Sequence, residues 1–90
     1  MTVNVAINHE HGGKVTICVT MPNPWNSSTP RSFSQDAAAK VLFDFGFDAI
    51  LISQKLKQLE GYNPKERINL GDKDIPGEAL KKHGFIVPGY

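Results

Sequence analysis

The sequence has little cysteine and no long hydrophobic run, and each lack excludes a class of protein. Cys18 is the only cysteine among 90 residues, so no intramolecular disulfide can form, whereas small secreted domains usually depend on several. Nowhere do 18 apolar residues follow one another, and residues 1–5 lack the basic and apolar regions of an export signal. We therefore expect a cytoplasmic protein without a membrane partner.

Net charge is also nearly absent. Ten Lys and Arg residues stand against nine Asp and Glu residues, which gives a formal net charge of +1. Such a balance creates no long-range field that would attract nucleic acid or anionic lipid. The length suits one small domain over residues 1–90, and the thin stability margin of so small a core leaves a homodimer open.

The beginning of the chain predicts an antiparallel β-hairpin. Apolar residues alternate strictly over residues 3–7 and again over 15–21, as in half-buried strands. Because a slip of one residue would turn the apolar side chains of one strand into water, Ile7 should pair with Ile17. This register leaves a three-residue loop at 11–13, where a glycine can adopt the positive φ that such loops need.

Helices are predicted after a loop over residues 21–32, which contains three prolines. Ser34 is a suitable N-cap for the first helix, and Gly46 is placed to end it. Residues 47–53 allow two interpretations, either a third strand or the beginning of a second helix capped by Asp48.

The last third of the chain predicts an ordered loop after Gly61 and then a short helix that Asp74 caps and Gly84 ends. The predicted fold class is therefore α+β. An N-terminal antiparallel β-hairpin packs against two or three short helices, and a strand at 47–53 would give a β-β-α-β-α order.

The sequence contains no recognisable catalytic or cofactor motif. Gly12 and Gly13 lack the remainder of a phosphate-binding loop, and no nucleophile motif surrounds Cys18 or any serine. Three aspartates near the first helix are ordinary residues for helix ends; they are Asp36, Asp44 and Asp48. We expect no enzyme and no cofactor.

A metal site is considered for the histidines, because His9, His11 and His83 could together offer three imidazole ligands to zinc. The hairpin register places His9 at the end of a strand and His11 in the loop, so the two need not converge. Packing and turn hydrogen bonds are the favoured roles, and we expect no bound metal.

Trp25 is the candidate anchor for a partner protein, with Asn23 and Asn26 beside it. A large aromatic side chain in a loop braced by prolines offers contact area at low entropic cost. A tryptophan next to a small sheet also commonly folds back onto the core. Both placements remain open.

The alternative partner is nucleic acid, bound by the basic segment 55–67. Lys55, Lys57 and Arg67 flank Tyr62, which could stack on a base, although two glutamates interrupt the basic group. By elimination the favoured function is a non-catalytic protein-binding domain, such as an adaptor, an accessory subunit or an inhibitor of the kind that mobile elements encode. A small enzyme or metal protein is the least favoured hypothesis.

Overall fold

The computed structural model describes residues 2–21, 28–61 and 66–87, which form a four-stranded antiparallel sheet and three α-helices. This arrangement confirms the predicted α+β class. In chain order the elements are β1 (Thr2–His9), β2 (Val15–Thr20), β3 (Ser28–Phe33), α1 (Gln35–Asp44), α2 (Ala49–Leu59), β4 (Arg67–Asp74) and α3 (Gly77–Lys82).

The sheet has the strand order β3-β2-β1-β4, and each neighbouring pair is antiparallel. One helix of the α1–α2 pair lies over each half of the sheet, since α1 contacts β2 and β3 whereas α2 contacts β1 and β4. The core lies between sheet and helices, and its fully buried side chains include Ile7, Ile17 and Leu42.

The predicted hairpin and its register are confirmed. Ile7 pairs with Ile17, so the alternating apolar side chains of both strands face the core. The connection is a short 3-10 turn at His11–Gly13, in which Gly12 has a φ of 81°. A residue with a Cβ atom would be strained in this left-handed conformation.

Strand β3 lies within the segment that was predicted to be a loop, and that prediction is wrong for residues 28–32. Proline is tolerated at the edge of a sheet, where its missing N–H need not serve a neighbouring strand, and β3 is an edge strand that contains Pro30. Ser32 at the end of β3 donates a 2.7 Å hydrogen bond to the Glu10 carboxylate, which ties the strand to the hairpin loop.

Strand β4 replaces the ordered loop that was predicted after Gly61. Its polar residues and Gly71 resemble a loop in sequence, but the strand pairs with β1 along Arg67–Asp74. Val5 pairs with Gly71 and Ala6 with Asn69, so Leu70 is the extra residue of a bulge. The bulge breaks the alternation by which a strand is recognised in a sequence.

The helix interpretation of residues 48–59 is confirmed, and the strand interpretation of residues 47–53 is wrong. Asp48 caps α2 by accepting hydrogen bonds from the backbone N–H groups of Ile50 and Leu51, at 3.0 and 3.3 Å. Asp48 thus satisfies backbone donors that a helix start leaves free. The β-β-α-β-α order is replaced by three strands, two helices, a fourth strand and a third helix.

The ends of α1 agree with the prediction. The Ser34 side chain accepts a 3.2 Å hydrogen bond from the N–H of Ala37, and Gly46 follows the helix with a φ of 99°. Because Gly46 takes a left-handed conformation, α1 stops within two residues and the chain can reverse into α2.

The last helix differs from its prediction at its beginning. Asp74 is the final residue of β4 rather than a helix cap, and α3 begins at Gly77 after Pro76. Beyond α3 the Phe85 ring packs on Phe33 and Phe45, with ring centroids 6.2 and 5.7 Å apart. This contact fixes the chain after α3 against β3 and α1.

Candidate functional site

Most of the predicted partner-binding residues fall outside the described part of the chain. Trp25, Asn23 and Asn26 lie in the segment 22–27, and Tyr62 lies in the segment 62–65. Whether Trp25 contacts a partner therefore stays a prediction.

The three basic residues of the nucleic-acid alternative do not form one group along α2. Lys55 and Lys57 are two residues apart on this helix, which turns by about 100° per residue, so their side chains leave it on nearly opposite sides. Lys55 is half-buried and Lys57 is exposed. Arg67 begins β4 and pairs with Asn8 on the sheet.

The histidines do not come together as a metal site where they are described. His9 ends β1 opposite Val15, and His83 follows α3, where its ring nitrogen Nε2 lies 2.7 Å from an Asp44 carboxylate oxygen. Within residues 2–21, 28–61 and 66–87 no group of three His, Cys, Asp or Glu side chains is arranged to hold a metal ion. Cys18 is a free, buried thiol.

An exposed phenylalanine on α1 is the surface feature that most needs an explanation. Phe43 is 64% exposed although its neighbour Leu42 is fully buried. Among the residues that the structure describes, two other large apolar side chains share this exposure: Ile50 at 68%, near the start of α2, and Ile86 at 72%, beyond α3. Phe43 and Ile50 lie on either side of the short turn between α1 and α2.

Phe43 lies on the wall of a groove between α1 and α2, which we call the α1–α2 groove. It has a volume of about 470 Å³, and its apolar lining includes Ala39, Phe43, Ile52 and Leu56. The small side chain of Ala39 leaves space beside Phe43, one helical turn away. The groove and the exposed ring together form an apolar surface that none of the described segments covers.

The charged residues of the α1–α2 groove lie at the end away from the helix turn. Asp36 lies in the first turn of α1, and Glu60 follows the last residue of α2. Both carboxylates are exposed, and neither has an ion pair within the described residues. Lys57 provides a positive charge in the same lining.

A second groove, the α1–α3 groove, lies on the other flank of α1 and shares Ala39 and Phe43 with the first. It has a volume of about 420 Å³ and is also lined by Lys40, Asp44, Lys82 and His83. Ala39 and Phe43 therefore form a ridge between two grooves.

The α1–α3 groove contains a polar cluster that joins the ends of two helices. His83 is hydrogen-bonded to Asp44, and the Lys82 ammonium lies 3.7 Å from the same carboxylate oxygen. The hydrogen bond with His83, followed by the charge of Lys82, holds the pKa of Asp44 below its usual value. The Asp44 carboxylate is therefore occupied by groups of its own chain.

Neither the exposed Phe43 nor the pairing of Asp44 with His83 was anticipated from the sequence. Phe43 lies off the inward stripe of α1, but with Ala39 it forms a second apolar pair at helical spacing, a signal that could have identified the ridge. Asp44 and His83 are separated by 39 residues, and no sequence pattern connects them.

Comparison with family models, curated proteins and solved structures finds no match for this chain. The longest helix among the described residues has 11 residues, so no helix there is long enough to cross a membrane.

Proposed function

We propose that this chain is a small protein-binding domain that recognises an amphipathic helix of another protein in the α1–α2 groove. Phe43 is the anchor of this surface. Aromatic side chains are over-represented among residues that dominate binding energy, and a groove between two helices is a common seat for the apolar face of a third.

The exposure of Phe43 is the observation that carries the proposal. Exposing most of a phenylalanine ring forfeits about 1–2 kcal/mol of burial, while Leu42 beside it is fully packed. Helix α1 thus has apolar side chains on two sides. A helix that packs against the core on a single side needs just one apolar stripe. A partner that covers Phe43, Ala39 and Leu56 would bury the second stripe.

A second contact region and the cellular location are also part of the proposal, and both rest on the amino-acid sequence. Trp25 and its neighbours Asn23 and Asn26 are proposed as a second contact region, and a cytoplasmic location agrees with the free thiol of Cys18. Binding rather than catalysis is proposed. Nucleic-acid binding is the less favoured alternative because Lys55 and Lys57 leave α2 on different sides and the net charge is only +1.

The test is selection of binders from a displayed library of amphipathic helical peptides, with purified wild-type protein as the bait. Affinities of the selected peptides are then measured for wild type, Phe43→Ser and Ile86→Ser. Ile86→Ser is the matched control, since it removes an equally exposed apolar side chain outside the α1–α2 groove lining.

We expect Phe43→Ser to lower the affinity for the selected peptides at least tenfold, or by about 1.4 kcal/mol. Ile86→Ser should leave this affinity unchanged. Circular dichroism confirms that both variants are folded. Equal affinities for wild type and Phe43→Ser would refute the proposed role of the groove. A parallel measurement on Trp25→Ala shows whether Trp25 contributes to the same contact.

A further inference from the structure

We infer that the helix bound in the α1–α2 groove is cationic, with a basic side chain directed at Asp36 and Glu60. The inference rests on the proposed function and adds the chemistry of the partner. It depends on where the fold places charges around an apolar groove.

The helix pairing brings the two carboxylates to one end. Only residues 45–48 join α1 to α2, so the chain reverses and the beginning of α1 lies beside the end of α2. Asp36 and Glu60 are 24 positions apart in sequence, yet both line the same groove. The lining also includes Lys57, so its charged side chains are two carboxylates and one ammonium group.

The helix dipoles do not alter this balance. The beginning of α1 carries a partial positive charge and the end of α2 a partial negative charge of similar size, so the two nearly cancel where they meet. The ionised side chains therefore determine the local potential. Asp36 and Glu60 are exposed and without ion pairs in the described part of the chain, so each is accessible to an ammonium or guanidinium group of a partner.

The opposite flank of the ridge has the opposite charge. In the α1–α3 groove, Asp44 is already bonded to His83 and approached by Lys82, and Lys40 is exposed nearby. A cationic helix is thus attracted to one side of Phe43 and repelled from the other. This contrast selects the α1–α2 groove, because discrimination arises from repulsion at the wrong site as well as from attraction at the right one.

The length of α1 sets the spacing of the partner's side chains. Phe43 and Asp36 are seven residues apart, which corresponds to about 10 Å along a helix axis. A partner helix that lies along the groove covers the same distance in about seven of its own residues. Its main apolar anchor and its basic residue should therefore be separated by two helical turns.

The experiment uses the peptides selected by display, each prepared in its original form and with every Lys and Arg replaced by Glu. Affinities are measured at 50 and 300 mM NaCl for wild type, for Asp36→Asn/Glu60→Gln and for Phe43→Ser. The matched control is Asp72→Asn/Glu78→Gln, which removes two exposed carboxylates on β4 and α3, away from the α1–α2 groove.

We expect the selected peptides to carry Lys or Arg seven residues from the apolar anchor. The Asp36→Asn/Glu60→Gln variant should bind them about tenfold more weakly at 50 mM NaCl and only slightly more weakly at 300 mM NaCl. The control variant should bind like wild type, and the Glu-substituted peptides should bind poorly except to Asp36→Asn/Glu60→Gln.

The two proposals fail in different ways. Some outcomes overturn only the inference. The selected peptides would then need Phe43 but carry no basic residue, and their affinity for Asp36→Asn/Glu60→Gln would equal that for wild type, so the proposed function would stand. A library without any Phe43-dependent binder would overturn both. Sedimentation of the wild-type protein and of Phe43→Ser completes the test. If the wild type is a dimer and the variant is a monomer, a second copy of the chain occupies the groove.

Discussion

Leu42 and Phe43 are adjacent residues of α1, yet Leu42 is fully buried and Phe43 is 64% exposed. Both side chains are large and apolar, so hydrophobicity alone does not decide which of them enters the core. The sheet covers only one side of α1, and α2 and α3 leave grooves along the other. One side of α1 therefore stabilises the fold, and the other side stays largely exposed among the described residues.

The largest expected effect is the loss of stability in Leu42→Ala. Removing a fully buried leucine side chain loses its burial and leaves a cavity, which typically costs about 2–5 kcal/mol. Chemical denaturation measures the free energy of unfolding directly. A loss below about 1 kcal/mol would mean that the two sides of α1 differ less than their exposure indicates.

A smaller loss is expected at the turn that positions α2 against α1. Asp48→Ala removes the two hydrogen bonds that cap α2 and should reduce the free energy of unfolding by about 1 kcal/mol. Asp48→Asn is the control, since its side-chain oxygen can still accept these bonds. If both variants lose the same stability, the negative charge rather than the cap geometry supports the helix.

Phe43→Ser should change stability by no more than about 0.5 kcal/mol, because the ring is mostly exposed and both residues have similar helix propensities. Thermal melting of this variant beside Leu42→Ala compares the two sides of α1 directly. A large loss in Phe43→Ser would assign the ring to the core and remove the reason to regard it as a binding anchor.

The smallest expected effect is the pH dependence that Asp44 contributes. Since its pKa is lowered in the folded protein, its contribution is complete above the unfolded pKa of about 4 and is lost as the pH falls through the folded pKa. Stability should therefore decline below about pH 4, and less steeply in Asp44→Asn.

The measurement is the difference between wild type and Asp44→Asn in urea unfolding from pH 2.5 to 7. The difference isolates Asp44 from Glu10, whose pKa is also lowered, chiefly by the nearby Thr16 hydroxyl and by the hydrogen bond from Ser32. Parallel curves across the whole range would show that the contact with His83 does not stabilise the fold.

Strong local patterns made part of the fold predictable. The alternation around Ile7 and Ile17 is correct in strand, face and register, and Ser34 and Gly46 mark the ends of α1 as expected. The edge strands were missed because each needs only one neighbour. β3 therefore tolerates Pro30, and β4 tolerates a bulge at Leu70. Both features depart from the usual sequence pattern of a strand, so neither strand was predicted.

The candidate site was less predictable than the fold. The predicted anchor Trp25 lies outside the described residues, and the structure instead draws attention to Phe43. A periodic pattern identifies the inward stripe of a helix, but it does not show how much of the opposite side other elements cover. That coverage depends on how α2 and α3 pack beside α1, and the contact of Asp44 with His83 joins residues that are 39 positions apart.

The α+β class, the hairpin register and the N-cap of α1 could be read from the sequence, as could the lack of a recognised catalytic motif. Each of these depends on residues that are close along the chain or on the period of one element. Only the folded structure showed that two polar segments complete the sheet and that Phe43 lies between two grooves whose linings differ in charge. These features depend on long-range packing, in which pairing with β1 and β2 supplies the backbone hydrogen bonds that the local sequences of β3 and β4 do not specify.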